Sequence, residues 1–348
     1  MRYQRQIILP NVGQYGQEKL SESRVLIVGA GGLGNPVGTY LAAAGVGTIG
    51  ILDFDTVSAT NFNRQFLFTP SDINQSKVHI LAKKLSLQNP LIEINPIHET
   101  LDFQNCATIF ADYDIIIDGT DNFETKFLIN DFCAVTDKPF IFGGLSQMDG
   151  TFGVFQASKG SCYRCLYSEI PKAKIQNCAD AGMLGPLAGI IGSFQAMECL
   201  KLILSKQSET GTYQYEFGNL VTVDTMDLYL QVAKINRSES CQCHRTGFQP
   251  QANSYSMISK NCTVEKYDQI IDVRSSEEWN KFHLLESLNL PIDQIEGLNK
   301  IPAILSENMT YGLICDSGAR ARKAQWLLGE LGLNNLYVIH RSVYEYSS

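Results

Sequence analysis

A chain of 348 residues, 44% hydrophobic and 18% charged, has the composition of an ordinary globular protein and room for two domains. Its formal net charge of −8 argues against nucleic acid as a partner, which asks for a basic face. Ten cysteines behind a polar opening, MRYQRQ, argue against a secretory leader; they point to a reducing compartment, the cytoplasm, and to metal-binding or catalytic thiols.

The opening residues set Tyr3 between two arginines, and NVGQYGQEKLSES after them is compatible with a helix. Residues 24–28, RVLIV, read as a buried parallel strand, and Gly29-Ala30-Gly31-Gly32-Leu33-Gly34 as a GxGxxG turn into a helix over about 35–44. Such a turn cradles phosphate, because its glycines let the backbone approach and the helix N-terminus favours an anion. Residues 48–53, TIGILD, read as the next strand, ending in a carboxylate placed for ribose hydroxyls. This fingerprint alone suggests NAD or FAD first.

An irregular stretch, DTVSATNFNRQF, precedes a helix with Val78, Leu81 and Leu85 on one face that stops before Pro90. Strands are predicted at 92–97, 113–118 and 139–144, the second running into Gly119-Thr120-Asp121-Asn122. The alternating runs GTFGVFQ and YQYEFGNLVTVDTM suggest antiparallel strands. The fold class is therefore α/β, a Rossmann-like doubly wound, mainly parallel sheet extended by antiparallel strands. The most apolar long stretch, 181–197, carries several glycines, Pro186 and Gln195; it suits a buried helix better than a membrane span. Domain boundaries are read at 1–245, a polar linker 246–260, and a small α/β domain at 261–348. That last domain has strands at 269–273, 311–315 and 336–339 and helices at 277–282 and 319–331.

The irregular stretch turns the reading away from a dehydrogenase. In order along the chain stand Tyr3-x-Arg5-Gln6, GAGGLG, LAAAGVG, Asp53-x-Asp55-x-Val57, Asn61-x-x-Arg64-Gln65, Lys77 and Gly119-Thr120-Asp121-Asn122. Together they resemble the ThiF/MoeB/HesA family of adenylyltransferases, relatives of the ubiquitin-activating enzymes. The resemblance implies that the C-terminal glycine of a ubiquitin-like sulfur carrier ending in Gly-Gly attacks the α-phosphate of ATP. It implies ATP and Mg²⁺ as cofactors, a homodimer, and a product used in molybdopterin or thiamine biosynthesis. Bringing two anions together calls for cations and a metal. Arg64 and Lys77 are the local cations, and Arg5 reaches across the dimer interface by resemblance. Asp53 would hold the ribose. Gly32, Asn61, Gln65 and Asn122 would lie against the nucleotide, and Asp121 would hold Mg²⁺.

Cys162-Tyr163-Arg164-Cys165 has the spacing of half a zinc site or of a redox pair. The family closes a Zn²⁺ site with a second CxxC; here that place holds Cys241-Gln242-Cys243-His244. The ligand set is taken as Cys162, Cys165, Cys241 and Cys243. Cys241 with His244, or loss of zinc, stand as alternatives. Cys178 occupies the position where family members carry a thiol able to take up the carrier's glycyl group or a persulfide; a spare thiol is the plainer reading.

The last domain resembles a rhodanese through Asp272-Val273-Arg274 and Cys315-Asp316-Ser317-Gly318-Ala319-Arg320. A cysteine heading a loop between strand and helix gains N–H groups and a helix dipole that stabilise a thiolate or persulfide. Arg320 would assist the same anion, and a cysteine desulfurase would be a partner. The stretch KFHLLES departs from the family pattern, as does His340-Arg341 near the end, which leaves a docking-only domain as the alternative. For the whole chain, an NAD-dependent oxidoreductase and a non-catalytic carrier-binding scaffold are the competing readings.

Overall fold

The computed structural model describes residues 2–170, 182–205, 215–251, 267–315 and 318–339, in two compact units, Met1–Ala252 and Asn253–Ser348.

The first unit is an eight-stranded sheet. In chain order its strands are β1 (Arg24–Val28), β2 (Thr48–Leu52), β3 (Glu93–Ile97), β4 (Ile115–Asp118), β5 (Phe140–Ser146), β6 (Asp149–Phe155), β7 (Asn219–Asp224) and β8 (Tyr229–Lys234). They lie in the order β3-β2-β1-β4-β5-β6-β7-β8. The first five are parallel and the last three antiparallel. β2 and β4 are buried throughout and β1 at all but its first residue, as continuous aliphatic runs covered by helices on both faces require. Pro96 is tolerated because β3 is an edge strand.

The helices of this unit are α1 (Gln4–Ile7), α2 (Gly13–Glu22), α3 (Gly34–Ala44), α4 (Lys77–Gln88), α5 (Cys106–Ala111), α6 (Phe123–Thr136), α7 (Tyr163–Leu166) and α8 (Gly185–Ser205). Periodicity alone does not reveal α6, because residues 126–133 are all buried and carry no amphipathic stripe. α8 is long and apolar enough to cross a membrane by length and composition. Here it packs on α3, β5 and β6, burying Leu187, Ile191, Cys199 and Leu202.

The strand order turns at β1, with β2 on one side and β4 on the other, so the loops leaving β1 and β4 diverge. Ligands of doubly wound sheets lie in that crevice. Two glycines make it close: a Cβ on Gly29 would lie 2.7 Å from the Gly119 carbonyl oxygen, and one on Gly34 2.0 Å from the Gly29 carbonyl oxygen.

The second unit is a four-stranded parallel sheet made by β9 (Gln269–Asp272), β10 (Leu288–Asn289), β11 (Tyr311–Ile314) and β12 (Leu336–Val338), in the order β10-β9-β11-β12. Its helices are α9 (Ser276–Lys281), α10 (Ile292–Glu296) and α11 (Ala319–Glu330). Ile271, Leu313, Ala324 and Leu328 form its core.

Candidate active site

Asp53 closes the glycine loop. Its Oδ2 accepts the Ala30 N–H at 2.7 Å and its Oδ1 the Asp55 N–H at 2.8 Å. Burial raises this carboxyl above its ordinary range, against the pull of the Lys77 charge. Lys77 opens α4, where a cation opposes the helix dipole. It is nonetheless buried, with Nζ 2.8 Å from Asp55 Oδ2. Burial pushes the Lys77 ammonium down, but the charges of Asp55, Asp53 and Asp121 outweigh it and raise the group overall. The surrounding carboxylates thus hold this charge against both burial and the helix dipole.

Arg64 lies over the loop from the other side, its aliphatic stem 3.5 Å from where a Gly32 Cβ would sit. Its Nη1 donates to the Thr60 carbonyl at 3.0 Å and to Asn63 Oδ1 at 2.9 Å. Buried Asn61 shapes this segment by accepting the Ser58 N–H at 2.9 Å. Buried Gln65 sits against Gly31, and its Oε1 has no partner among the described residues. Gly32, Asp53, Asn61, Arg64, Gln65 and Lys77 are thus gathered about one loop.

Asn35 is a site residue that sequence reasoning missed. Fully buried, it donates to the Ala30 and Gly31 carbonyls at 3.0 Å each and accepts the Leu67 N–H at 3.1 Å. It therefore fastens the glycine loop to the segment carrying Arg64. Its place directly after the GxGxxG turn was the available signal.

The loop after β4 is braced from below. Buried Lys126 on α6 pairs with the buried Asp118 carboxylate and donates to the carbonyls of Thr120 at 2.8 Å and Gly143 at 2.7 Å. Gln195 of α8 donates to the Asp118 carbonyl at 2.7 Å. Asp121 stands exposed above this brace, near enough to act on the Lys77 charge. Asn122, expected against the nucleotide, uses its side-chain oxygen to cap α6, accepting the Thr125 N–H at 2.9 Å.

The N-terminal motif divides its labour. The Tyr3 ring lies on Gly45, and its hydroxyl accepts Asn89 Nδ2–H at 2.8 Å. Gln6 Nε2 donates to Gln17 Oε1 at 2.7 Å and to the Ala44 carbonyl at 3.0 Å. These contacts pin α1 to the LAAAGVG segment and leave Arg5 exposed.

A second cluster lies at α7. Cys162 Sγ is 3.8 Å from Cys165 Sγ and 3.5 Å from Cys241 Sγ, and Cys165 Sγ is 3.2 Å from His244 Nε2. The four donor atoms lie within 4.8 Å of one another. Sulfurs at about 2.3 Å from one tetrahedral zinc would stand about 3.8 Å apart, so the set fits Cys₃His. Within this coupled set the shared hydrogen bonds push the Cys162 thiol up and hold the Cys241 thiol below its usual range, and burial lowers the His244 imidazole toward the neutral form that binds metal. The His244 ring also hydrogen-bonds the Ala157 backbone, as an oriented metal ligand would.

Cys243, expected as the fourth ligand, lies beside this group of four donors. Its Sγ lies 3.5 Å from Asn130 Nδ2 and from Asp131 Oδ1 of α6, and it also hydrogen-bonds the Cys162 and Cys241 sulfurs. The short turn at 242–244 brings His244, separated from Cys241 by two residues, into the group with Cys162 and Cys165.

Cys178 lies outside the described residues. In the second unit, Cys315 follows β11, is fully buried, and its Sγ accepts the Ala321 N–H at 3.4 Å. Gly318 supplies the left-handed turn, φ +77°, that starts α11. Arg320, expected to assist a sulfur anion, forms a bidentate pair with Glu278. Buried Arg274 pairs with buried Asp272 and donates to the Phe282 carbonyl at 2.7 Å.

Comparison with known proteins agrees with this geometry. The ThiF family matches residues 3–244, and the rhodanese-like domain matches residues 255–348. The adenylyltransferase and sulfurtransferase MOCS3 of Dictyostelium discoideum is 33% identical, over 94% of this chain and 89% of that protein. The sulfur carrier protein adenylyltransferase of Thermus thermophilus is 38% identical, over 69% of this chain and 89% of its own length. The probable adenylyltransferase/sulfurtransferase MoeZ of Mycobacterium tuberculosis is 32% identical over 96% and 89%. Among solved structures, MccB of E. coli superposes with a TM-score of 0.60 at 23% identity, over 70% of this chain and 75% of that one; it speaks for the fold alone. The glycine loop, its ring of charges and the family match over the first unit together make this chain a member of the ThiF family, joined to a rhodanese-like domain.

Proposed function

We propose that this protein adenylates the C-terminal glycine of a ubiquitin-like sulfur carrier with ATP and that its Cys315 delivers sulfur as a persulfide. The observation that carries the reading is the buried Lys77 paired with half-exposed Asp55 beside Asp53, at the loop over which Arg64 lies. The carrier carboxylate attacks the α-phosphorus. The bond to the bridging oxygen breaks, and its electron pair leaves on pyrophosphate. Both reactants are anions, so preorganised cations lower the barrier by matching charge as it moves. Lys77 and Arg64 are fixed in advance for that work. Exposed Arg5 reaches the site of a second protomer in a homodimer, and Mg²⁺ held by Asp121 would offset phosphate charge. Zn²⁺ on Cys162, Cys165, Cys241 and His244 would tie the end of the unit to its core. The Cys178 thiolate attacks the glycyl carbonyl of the acyl-adenylate and AMP leaves, giving a thioester; a cysteine desulfurase passes persulfide sulfur to Cys315 in the cytoplasm, and the product serves molybdopterin or thiamine biosynthesis.

The test is ATP–pyrophosphate exchange with carriers ending in Gly-Gly. Exchange stimulated by one carrier and lost in Lys77→Ala supports the reading and names the pathway. A protein that binds NAD and not ATP would sink it.

A further inference from the structure

The pair between Arg320 and Glu278 says something about which sulfur donor the second unit accepts. Arg320 belongs to the first turn of α11, the turn whose Ala321 N–H reaches Cys315 Sγ. Its Nη1 lies 2.6 Å from Glu278 Oε2 and its Nη2 2.9 Å from Glu278 Oε1. This two-oxygen grip is the one by which a guanidinium holds a sulfur or phosphorus oxyanion. Glu278 is itself fixed: its Oε2 accepts the Ser275 N–H at 2.9 Å, and its own N–H donates to Ser275 Oγ at 3.2 Å. Arg320 draws its carboxyl down to about 2, so it is ionised wherever the protein works. The fork an oxyanion would use is already filled by a carboxylate of this chain.

We propose that Glu278 is a specificity-determining residue that bars free oxyanionic donors such as thiosulfate from Arg320 and reserves Cys315 for sulfur presented on a protein persulfide. The proposal rests on the sulfurtransferase reading of Cys315. With thiosulfate, the Cys315 thiolate attacks the outer sulfur, the S–S bond breaks, and sulfite leaves with the electron pair. With a persulfide R–S–S⁻, the thiolate attacks the terminal sulfur and R–S⁻ leaves. Neither route needs an oxidant or reductant. They differ in that the first brings a dianion carrying three oxygens to the loop. The second brings one negative charge, on a partner whose own surface supplies the binding.

The experiment compares the full-length protein with Glu278→Gln, which keeps the oxygen that caps α9. Sulfur uptake is followed with thiosulfate, using cyanide as acceptor, and with a persulfidated protein. Glu278→Gln should lower the thiosulfate KM about tenfold, kcat and persulfide transfer changing by less than about threefold. The gain should shrink with added salt. An unchanged or higher thiosulfate KM, with persulfide transfer intact, overturns the proposal alone. If Cys315 takes sulfur from neither donor in either protein, the sulfurtransferase reading fails and the proposal falls with it.

Discussion

Both units use one local device, a buried parallel strand running through a turn into a helix N-terminus, and they arm it differently. After β1 the turn is bare glycine, and its charges come from other segments: Asp53 after β2, Arg64 beyond it, Lys77 on α4 and Asp121 after β4. After β11 the proposed reacting group, Cys315, follows the strand directly and meets the Ala321 N–H of α11, and Arg320 is matched by Glu278. A nucleotide is long and polyanionic, so its cradle needs room and several separated charges. A single sulfur needs little more than directed N–H groups. The first cradle is therefore assembled from distant sequence, the second from a few consecutive residues.

The comparison can be broken at several points. The largest effect is expected for Lys77→Ala, which should cut carrier-stimulated pyrophosphate exchange on the order of 10²–10³-fold; a loss under about tenfold would mean the first cradle does not depend on its distant charges. Next, metal analysis of the purified chain should find zinc lost in Cys241→Ser and retained in Cys243→Ser. The reverse pattern would make Cys243 a ligand in place of Cys241. Gly34→Ala should cost about 3 kcal/mol in denaturant unfolding, since its Cβ meets backbone. Gly318→Ala should cost only about 1 kcal/mol, for its left-handed φ. Equal costs would mean the two turns are equally tight.

The smallest effect is in pH. The folded-state pKa of Glu278, about 2, lies below its ordinary 4.5, so the Arg320 pair stabilises the second unit fully above pH 4.5. That contribution is lost as pH falls toward 2. Acid titration of Glu278→Gln, followed by fluorescence, should flatten that limb, modestly because the pair is partly exposed. An unchanged acid limb would mean that the pair adds nothing to the fold.

Much of the frame is local and could be read from residue order. Aliphatic runs such as RVLIV and IIID have no way to satisfy water on either face, and a GxGxxG turn admits only a close backbone approach. β1, β2, β4 and the first cradle follow from those facts. α6 did not, because burial on all sides erases the period that reveals a helix. Nor did β8, an edge strand exposed along its whole length.

The sequence by itself determined which residue types stand at the ends of the strands: glycine, aspartate, lysine and cysteine in an order that implies phosphate and sulfur chemistry. Tertiary structure decided which of them meet. Lys126 finds Asp118 and Gly143, Asn35 finds Leu67, Cys162 and Cys165 meet Cys241 and His244, and Glu278 fills the fork of Arg320. Each of these pairings joins separate elements or turns on the direction of a side chain. Periodicity and spacing record only neighbours along the chain, whereas a hydrogen bond or a metal vertex is fixed by direction and distance in space.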